Sequence, residues 1–181
     1  MNSSPNHSNV LSRYGFKQIT SANLLKEDDH PSYPSPLRGE RWVRECLKPK
    51  LDPNVPEEVA FLFEAARGAM IYGMFFLPLA ALATEEGFRV LEAGVRHRCK
   101  QLGLAKKRSG KANAFSDKPY VDLVATLRKA GHIPKKDLKT WSALVALRNT
   151  FSHRTSASIR ARDEAIAQLR FIADLLNRLF K

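Results

Sequence analysis

The chain has 181 residues, of which 44% are hydrophobic, so it is long enough for one domain with a real core and is not a disordered chain. Its formal net charge of +12 favours a polyanionic partner, with nucleic acid ranked before an anionic membrane. Two widely separated cysteines, Cys46 and Cys99, match neither a metal-ligand spacing nor a disulfide framework. They predict two free thiols and therefore a cytoplasmic protein.

The sequence gives no sign of a membrane segment. The N-terminal residues lack the basic stretch and apolar core of a secretory signal. The longest uncharged run, residues 68–83, is shorter than the ~20 residues that a membrane span needs, and it contains Gly73 and Pro78. We expect no membrane partner, and we interpret the run as a buried junction between two helices rather than as a short membrane hairpin.

Residues 1–55 are predicted to form a proline-rich, largely irregular N-terminal arm. Seven of the ten prolines lie between Pro5 and Pro56. Residues 39–47 are the exception, because they suit a short helix that docks Trp42 on the core. We expect the arm to pack loosely on its own domain, and the alternative is that it binds a partner.

From Pro56 onward the pattern predicts a helical domain, residues 56–181. A proline followed by two glutamates is typical of a helix start. No alternating β pattern, internal repeat or glycine-rich phosphate loop is found. We predict an all-α bundle in which helices D and E form an antiparallel pair with a short loop. The predicted helices are A (56–75), B (77–102), C (119–130), D (134–152) and E (158–180).

The end of helix D carries the residues that point most directly to function. One face is apolar, and Arg148 projects from its middle. An arginine cannot shed its charge, so it must reach solvent, pair with a carboxylate or meet a bound anion. Asn149 and His153 follow within two turns. The alternative is that Arg148 compensates the helix end and His153 is an ordinary surface residue. The apolar face comprises Leu138, Trp141, Leu144, Val145, Leu147 and Phe151.

Two further groups of charged residues complete the candidate site. Glu85 and Glu92 lie one heptad apart on the flank of helix B and are candidates to pair with Arg148, with two solvated carboxylates as the alternative. Residues 96–118 hold eight basic residues and one acidic residue, a net charge of +7. A basic segment containing Gly103 and Gly110 suits contacts with phosphates, although such runs are usually solvated.

Residues 144–154, LVALRNTFSHR, resemble the motif of the HEPN superfamily, the "higher eukaryotes and prokaryotes nucleotide-binding" helical domains. The family motif is an arginine, a polar residue and then a histidine four to six residues after the arginine. Arg148, Asn149 and His153 fit this pattern. The context is similar too, with a long Ala/Leu-rich helix upstream and an apolar helix downstream. The resemblance covers about residues 57–180.

The resemblance implies a homodimeric endoribonuclease that needs no metal or other cofactor and leaves 2′,3′-cyclic phosphate and 5′-hydroxyl ends. His153 would act as acid or base, Arg148 would hold the scissile phosphate, and Asn149 would orient His153 or contact phosphate. A defence or toxin-type role is implied, with an antitoxin or regulatory protein as a further partner. The alternative is a non-catalytic module that binds RNA, a nucleotide or a protein. The residues expected to bind RNA are Lys106, Lys107, Arg108, Lys111 and Arg154.

Overall fold

The computed structural model describes residues 17, 20–28, 37–104, 119–141, 143, 144, 146 and 162–181. Within these ranges the protein is helical and contains no strand, which confirms the predicted all-α class. A 3-10 turn, Lys135–Asp137, leads into helical residues 138–141, 143, 144 and 146, which we call the Trp141 helix. The other helices are α1 (Gly39–Leu47), α2 (Glu57–Tyr72), α3 (Pro78–Gln101), α4 (Tyr120–Lys129) and α5 (Arg162–Leu179).

The predicted helices A, B and C correspond to α2, α3 and α4, with ends that differ by three residues or fewer. The apolar run 68–83 is the junction between α2 and α3, where Met74 and Leu77 are buried, so its interpretation as a buried junction is confirmed. Among the described residues, no helix combines the length and apolar character needed to cross a membrane. Helix D begins with the 3-10 turn, and its predicted course beyond residue 146 lies outside the described residues, as does the predicted start of helix E at 158.

The central element is α3, which packs against α2, α4 and α5. Two of its glycines allow α5 to approach closely. A Cβ atom on Gly94 would lie 2.6 Å from Cδ2 of Leu176, and one on Gly87 would collide with Cδ1 of Ile172. Because 87 pairs with 172 and 94 with 176, α3 and α5 run in the same direction. The start of α5 therefore lies near the α2–α3 junction, and its end lies near the end of α3.

A second hydrophobic cluster joins α1 to the α2–α3 junction and to the start of α5. Trp42 is 0% exposed, and its indole Nε1 donates a hydrogen bond to the carbonyl oxygen of Ile71 at 3.1 Å. The prediction that residues 39–47 form a helix that docks Trp42 is thereby confirmed. The buried members of this cluster are Trp42, Cys46, Met70, Met74, Leu77, Ala80, Ala83, Ala165 and Ile166.

Part of the N-terminal arm is held against the α2–α3 junction by polar contacts. The backbone N–H of Asp28 donates to the carbonyl of Met74 at 2.8 Å, and the Asp28 carboxylate accepts from the N–H of Leu77 at 2.9 Å. Lys17 donates from Nζ to the carbonyl of Phe75 at 2.9 Å. Leu77 is the N-cap residue of α3, so Asp28 supplies an acceptor to a helix start that lacks a side-chain cap of its own.

The end of α5 is fixed by three hydrogen bonds, two through Asn177 and one through Arg178. Asn177 accepts from the N–H of Asp52 at 2.7 Å and donates to the carbonyl of Lys50 at 2.9 Å. Arg178 donates from Nη1 to the carboxylate of Asp137 at 3.0 Å. The Arg178–Asp137 pair sets the beginning of the Trp141 helix beside the end of α5, and the antiparallel pairing predicted for helices D and E remains a prediction.

Candidate nucleic-acid interface

The predicted motif and the predicted RNA-binding residues lie outside the described residues, so their roles remain predictions. The structure does describe the helix that precedes the motif. Trp141 and Leu144 are each 3% exposed and belong to the main core, whereas Ala143 and Ala146 are exposed. These side chains fix which face of the Trp141 helix meets the core. The residues outside the description are Arg148, Asn149, His153 and Arg154, and in the basic segment Lys106, Lys107, Arg108 and Lys111.

The first residue of α5 and the residue that follows α3 lie at opposite ends of the bundle. Arg162, which follows the motif, begins α5 beside the α2–α3 junction. Leu104 follows the end of α3, where Phe180 packs against His97 with 6.2 Å between ring centroids. The two ends are separated by about the length of α5, roughly 27 Å at 1.5 Å per residue.

Glu85 and Glu92 differ in their surroundings. Glu85 is exposed. One oxygen of Glu92, Oε1, accepts from both Nε and Nη2 of Arg96, at 3.2 and 2.7 Å. This ion pair has the four-residue spacing of neighbours on a helix surface, a signal that was present in the sequence. Glu92 thus already has a cationic partner, and its pairing with Arg148 remains a prediction.

A cleft of about 310 Å³ lies between the start of α2 and the end of α3. We call it the α2–α3 cleft. Sequence analysis missed it because the residues that line it are brought together only by the packing of two helices. Its lining residues are Glu58, Val59, Leu62, Ala93, Arg96, His97 and Lys100.

His97 is the most distinctive group in the cleft. Its Nδ1 atom is buried and has no hydrogen-bond partner among the described residues. Its ring meets Phe180 edge-on, and the guanidinium of Arg98 lies over the same phenyl ring, 5.8 Å from its centroid. The imidazole thus packs on Phe180 and lines the cleft, and its buried Nδ1 atom is a polar group that the described residues leave unsatisfied.

The two cysteines do not provide reactive groups. Burial raises the pKa of the Cys46 thiol to about 12, although the nearby Arg67 guanidinium acts in the opposite direction. Cys99 is also buried, and its thiol donates to the carbonyl of Leu123 at 3.8 Å. The Cys46 thiol is therefore protonated near neutral pH, and both cysteines are packed in the interior. In the part of the chain that the structure describes, no three potential metal ligands are grouped together.

Comparison with known proteins gives no match: no protein-family model matches the chain, and no curated protein or solved structure shows significant similarity to it. The likeness to HEPN domains therefore rests on residues 144–154 and on the helical context of that segment.

Proposed function

We propose that the protein is a metal-independent endoribonuclease of the HEPN type that acts as a homodimer. The observation that carries this proposal is the spacing of Arg148, Asn149 and His153 directly after a helix whose Trp141 and Leu144 are buried in the core. Because Arg148 follows Leu144 by four residues and Trp141 by seven, the helical period predicts it on that same face. A permanent cation there requires an anionic partner, and the scissile phosphate of RNA meets that requirement.

The proposed reaction is an internal transesterification. The ribose 2′-oxygen attacks the adjacent phosphorus and gives up its proton to a base, while the bond from phosphorus to the 5′-oxygen breaks. A proton delivered to that 5′-oxygen completes the step and leaves a 2′,3′-cyclic phosphate and a 5′-hydroxyl. His153 suits either proton transfer because the ordinary pKa of histidine lies near working pH. Arg148 would stabilise the charge that develops on the phosphate oxygens.

The charge of the chain supports RNA as the substrate. A net charge of +12 attracts a polyanion, and residues 96–118 contribute +7 of it. We assign Lys106, Lys107, Arg108, Lys111 and Arg154 to phosphate binding. We expect the four residues of the basic segment to supply affinity rather than chemistry, and Arg154, which directly follows His153, to bind phosphate next to the motif.

The test is cleavage of a labelled RNA in EDTA by the purified protein, with His153→Ala prepared in parallel. We expect cyclic phosphate and 5′-hydroxyl ends from the wild type and a loss of about 10²–10⁴-fold in rate from the variant. His132→Ala is the matched control, since His132 lies after α4 and outside the predicted motif. Equal cleavage by wild type and His153→Ala would reveal a contaminating nuclease or a different catalytic group.

The second candidate is a non-catalytic module that binds RNA, a nucleotide or a protein. The α2–α3 cleft favours this alternative, because an apolar cavity with cations at its rim is a binding site that needs no catalytic groups. RNA binding without cleavage, unchanged in His153→Ala, would support the module over the enzyme.

A further inference from the structure

We propose that the α2–α3 cleft binds one unstacked base of a single-stranded RNA, through residues other than Arg148 and His153. This inference rests on the proposed RNA-directed function and adds to it a position at which the strand is held. It combines three features: an apolar floor, an imidazole whose Nδ1 atom has no partner among the described residues, and a lysine at one end of the cleft.

The size and floor of the cleft suit a base. Its volume of about 310 Å³ lies in the range of small-ligand sites. Val59, Leu62 and Ala93 give it an apolar floor, and Val59 is 1% exposed and part of the main core, so the floor is rigid. A base presents two apolar faces and a polar edge, and single-stranded RNA exposes both when a base leaves its stack.

The polar groups of the cleft suit the edge of a base. The Nδ1 atom of His97 is buried without a partner in the described structure, and a base that enters the cleft offers both donors and acceptors. Glu58 lines the facing side, on the first turn of α2, and its carboxylate accepts hydrogen bonds. A carboxylate pairs with the exocyclic amino group of cytosine, which uracil lacks. The cleft should therefore prefer cytosine to uracil.

The position of the cleft suits the path of an RNA strand. Lys100 lines its end, is exposed, and makes no ion pair with any described residue. Arg96 is different, because Glu92 balances its charge. Lys100 is therefore free to contact a phosphate of a strand that has one base in the cleft. An acidic protein would also be attracted by Lys100. It has no planar base, however, to lie on the apolar floor and contact the His97 nitrogen.

The first test uses mononucleotides, so it does not depend on catalysis. The His97 ring resonances of the full-length protein are followed by NMR while cytidine 5′-monophosphate, uridine 5′-monophosphate, ribose 5-phosphate or inorganic phosphate is added. We expect the cytidine nucleotide to shift them at concentrations at least threefold lower than the uridine nucleotide. Ribose 5-phosphate, which lacks the base, should not shift them. Glu58→Gln should reduce the difference between the concentrations at which the two nucleotides shift the His97 resonances, because an amide can also donate a hydrogen bond to uracil.

The second test uses RNA. Binding of a fluorescent oligoribonucleotide is measured with His97→Phe, which keeps the ring against Phe180 and removes the nitrogen, and with Ala93→Leu, which fills the cleft. Each should weaken binding about fivefold. Lys129→Ala removes an exposed lysine of α4 and serves as the control.

Three outcomes would overturn the inference. Equal shifts with cytidine 5′-monophosphate and ribose 5-phosphate would make the cleft an anion site only. If no nucleotide shifts the His97 ring resonances, the cleft does not bind nucleotides. Nucleotide binding with unchanged RNA affinity in both cleft variants would indicate a site for free nucleotides. In each of these cases, cleavage that depends on His153 would still support the proposed ribonuclease. If instead only the His153 test fails, the cleft would be the binding site of a non-catalytic RNA-binding module.

Discussion

Gly94 in α3 lies so close to Leu176 in α5 that a Cβ atom at position 94 would sit 2.6 Å from Cδ2 of the leucine. One heptad earlier, Gly87 meets Ile172 in the same way. A glycine inside a helix costs about 0.5–1 kcal/mol relative to alanine. In α3 that cost is offset by the close approach of a parallel helix, whose residues complete the main core.

Alanine at either position should therefore destabilise the protein, despite its better helix propensity. We expect Gly94→Ala and Gly87→Ala to lower the free energy of unfolding by about 1–3 kcal/mol, the usual range for overpacking a core. Gly68→Ala is the matched control in α2, since a Cβ atom there has no described neighbour within 4 Å. It should stabilise by about 0.5–1 kcal/mol. Chemical denaturation measures all three, and a Gly94→Ala protein as stable as Gly68→Ala would show that the helices do not meet so closely.

Asp28 should matter for the start of α3. Removal of its carboxylate in Asp28→Ala deprives the N–H of Leu77 of an acceptor and should cost about 1–2 kcal/mol, the usual effect of losing a helix cap. Asp28→Asn should cost less, because the amide oxygen can still accept. Hydrogen exchange at Leu77 should accelerate in the alanine variant and stay slow in Glu27→Ala. Unchanged exchange at Leu77 would mean that the arm does not cap α3.

Sequence patterns predicted the helices well where a long apolar stripe was present, as in α3 with Phe88, Leu91 and Val95. They did not predict which residues of α3 meet α5, because glycines such as Gly87 carry no hydropathy signal and are usually taken as helix breakers. Asp28 could not be found either, since its contact with Leu77 spans 49 residues and depends on tertiary structure.

The same contrast applies to the candidate site. The Arg148 motif and the basic segment are local patterns, so the sequence alone reveals them. The α2–α3 cleft depends on how α2 packs against α3, which brings Glu58 and Val59 to the same cleft as His97. The sequence does not specify that packing. The ion pair of Glu92 with Arg96, in contrast, could have been predicted from the sequence, because the two residues are four positions apart on one helix. It was not predicted because Glu92 was assigned to Arg148 instead.

The basic segment should supply affinity rather than chemistry. Neutral replacements of Lys106, Lys107, Arg108 and Lys111 together should weaken RNA binding and flatten its dependence on salt, because fewer counterions are released from the phosphates. The rate at saturating RNA should change little. Binding measured from low to high salt gives the slope directly, and a slope equal to that of the wild type would identify the segment as a solvated surface.

Arg148 should not be replaceable by lysine. Lysine retains the charge but lacks the planar guanidinium that binds two phosphate oxygens at once. We expect Arg148→Lys to be nearly as impaired in cleavage as Arg148→Ala, with both variants folded by circular dichroism. If lysine restores most of the rate, Arg148 acts only as a point charge.

The active site should be shared between two chains. One chain offers a single motif histidine, whereas cleavage with both a base and an acid is best served by two. Part of the predicted apolar face around Arg148 can pack against α3. The rest can pack against the same face of a second chain across a two-fold axis, which is an isologous contact. That contact would bring both arginines and both histidines to one phosphate.

Subunit mixing tests this arrangement. Wild-type protein is equilibrated with a ninefold excess of His153→Ala, so that random pairing leaves roughly a tenth of the wild-type chains with a wild-type partner. A shared site predicts that activity per wild-type chain falls toward that tenth. An equal excess of His132→Ala is the control and should instead raise the total activity, because its motif is intact. Activity that stays proportional to the wild-type chain added, or sedimentation as a monomer at the assay concentration, would assign each chain its own site.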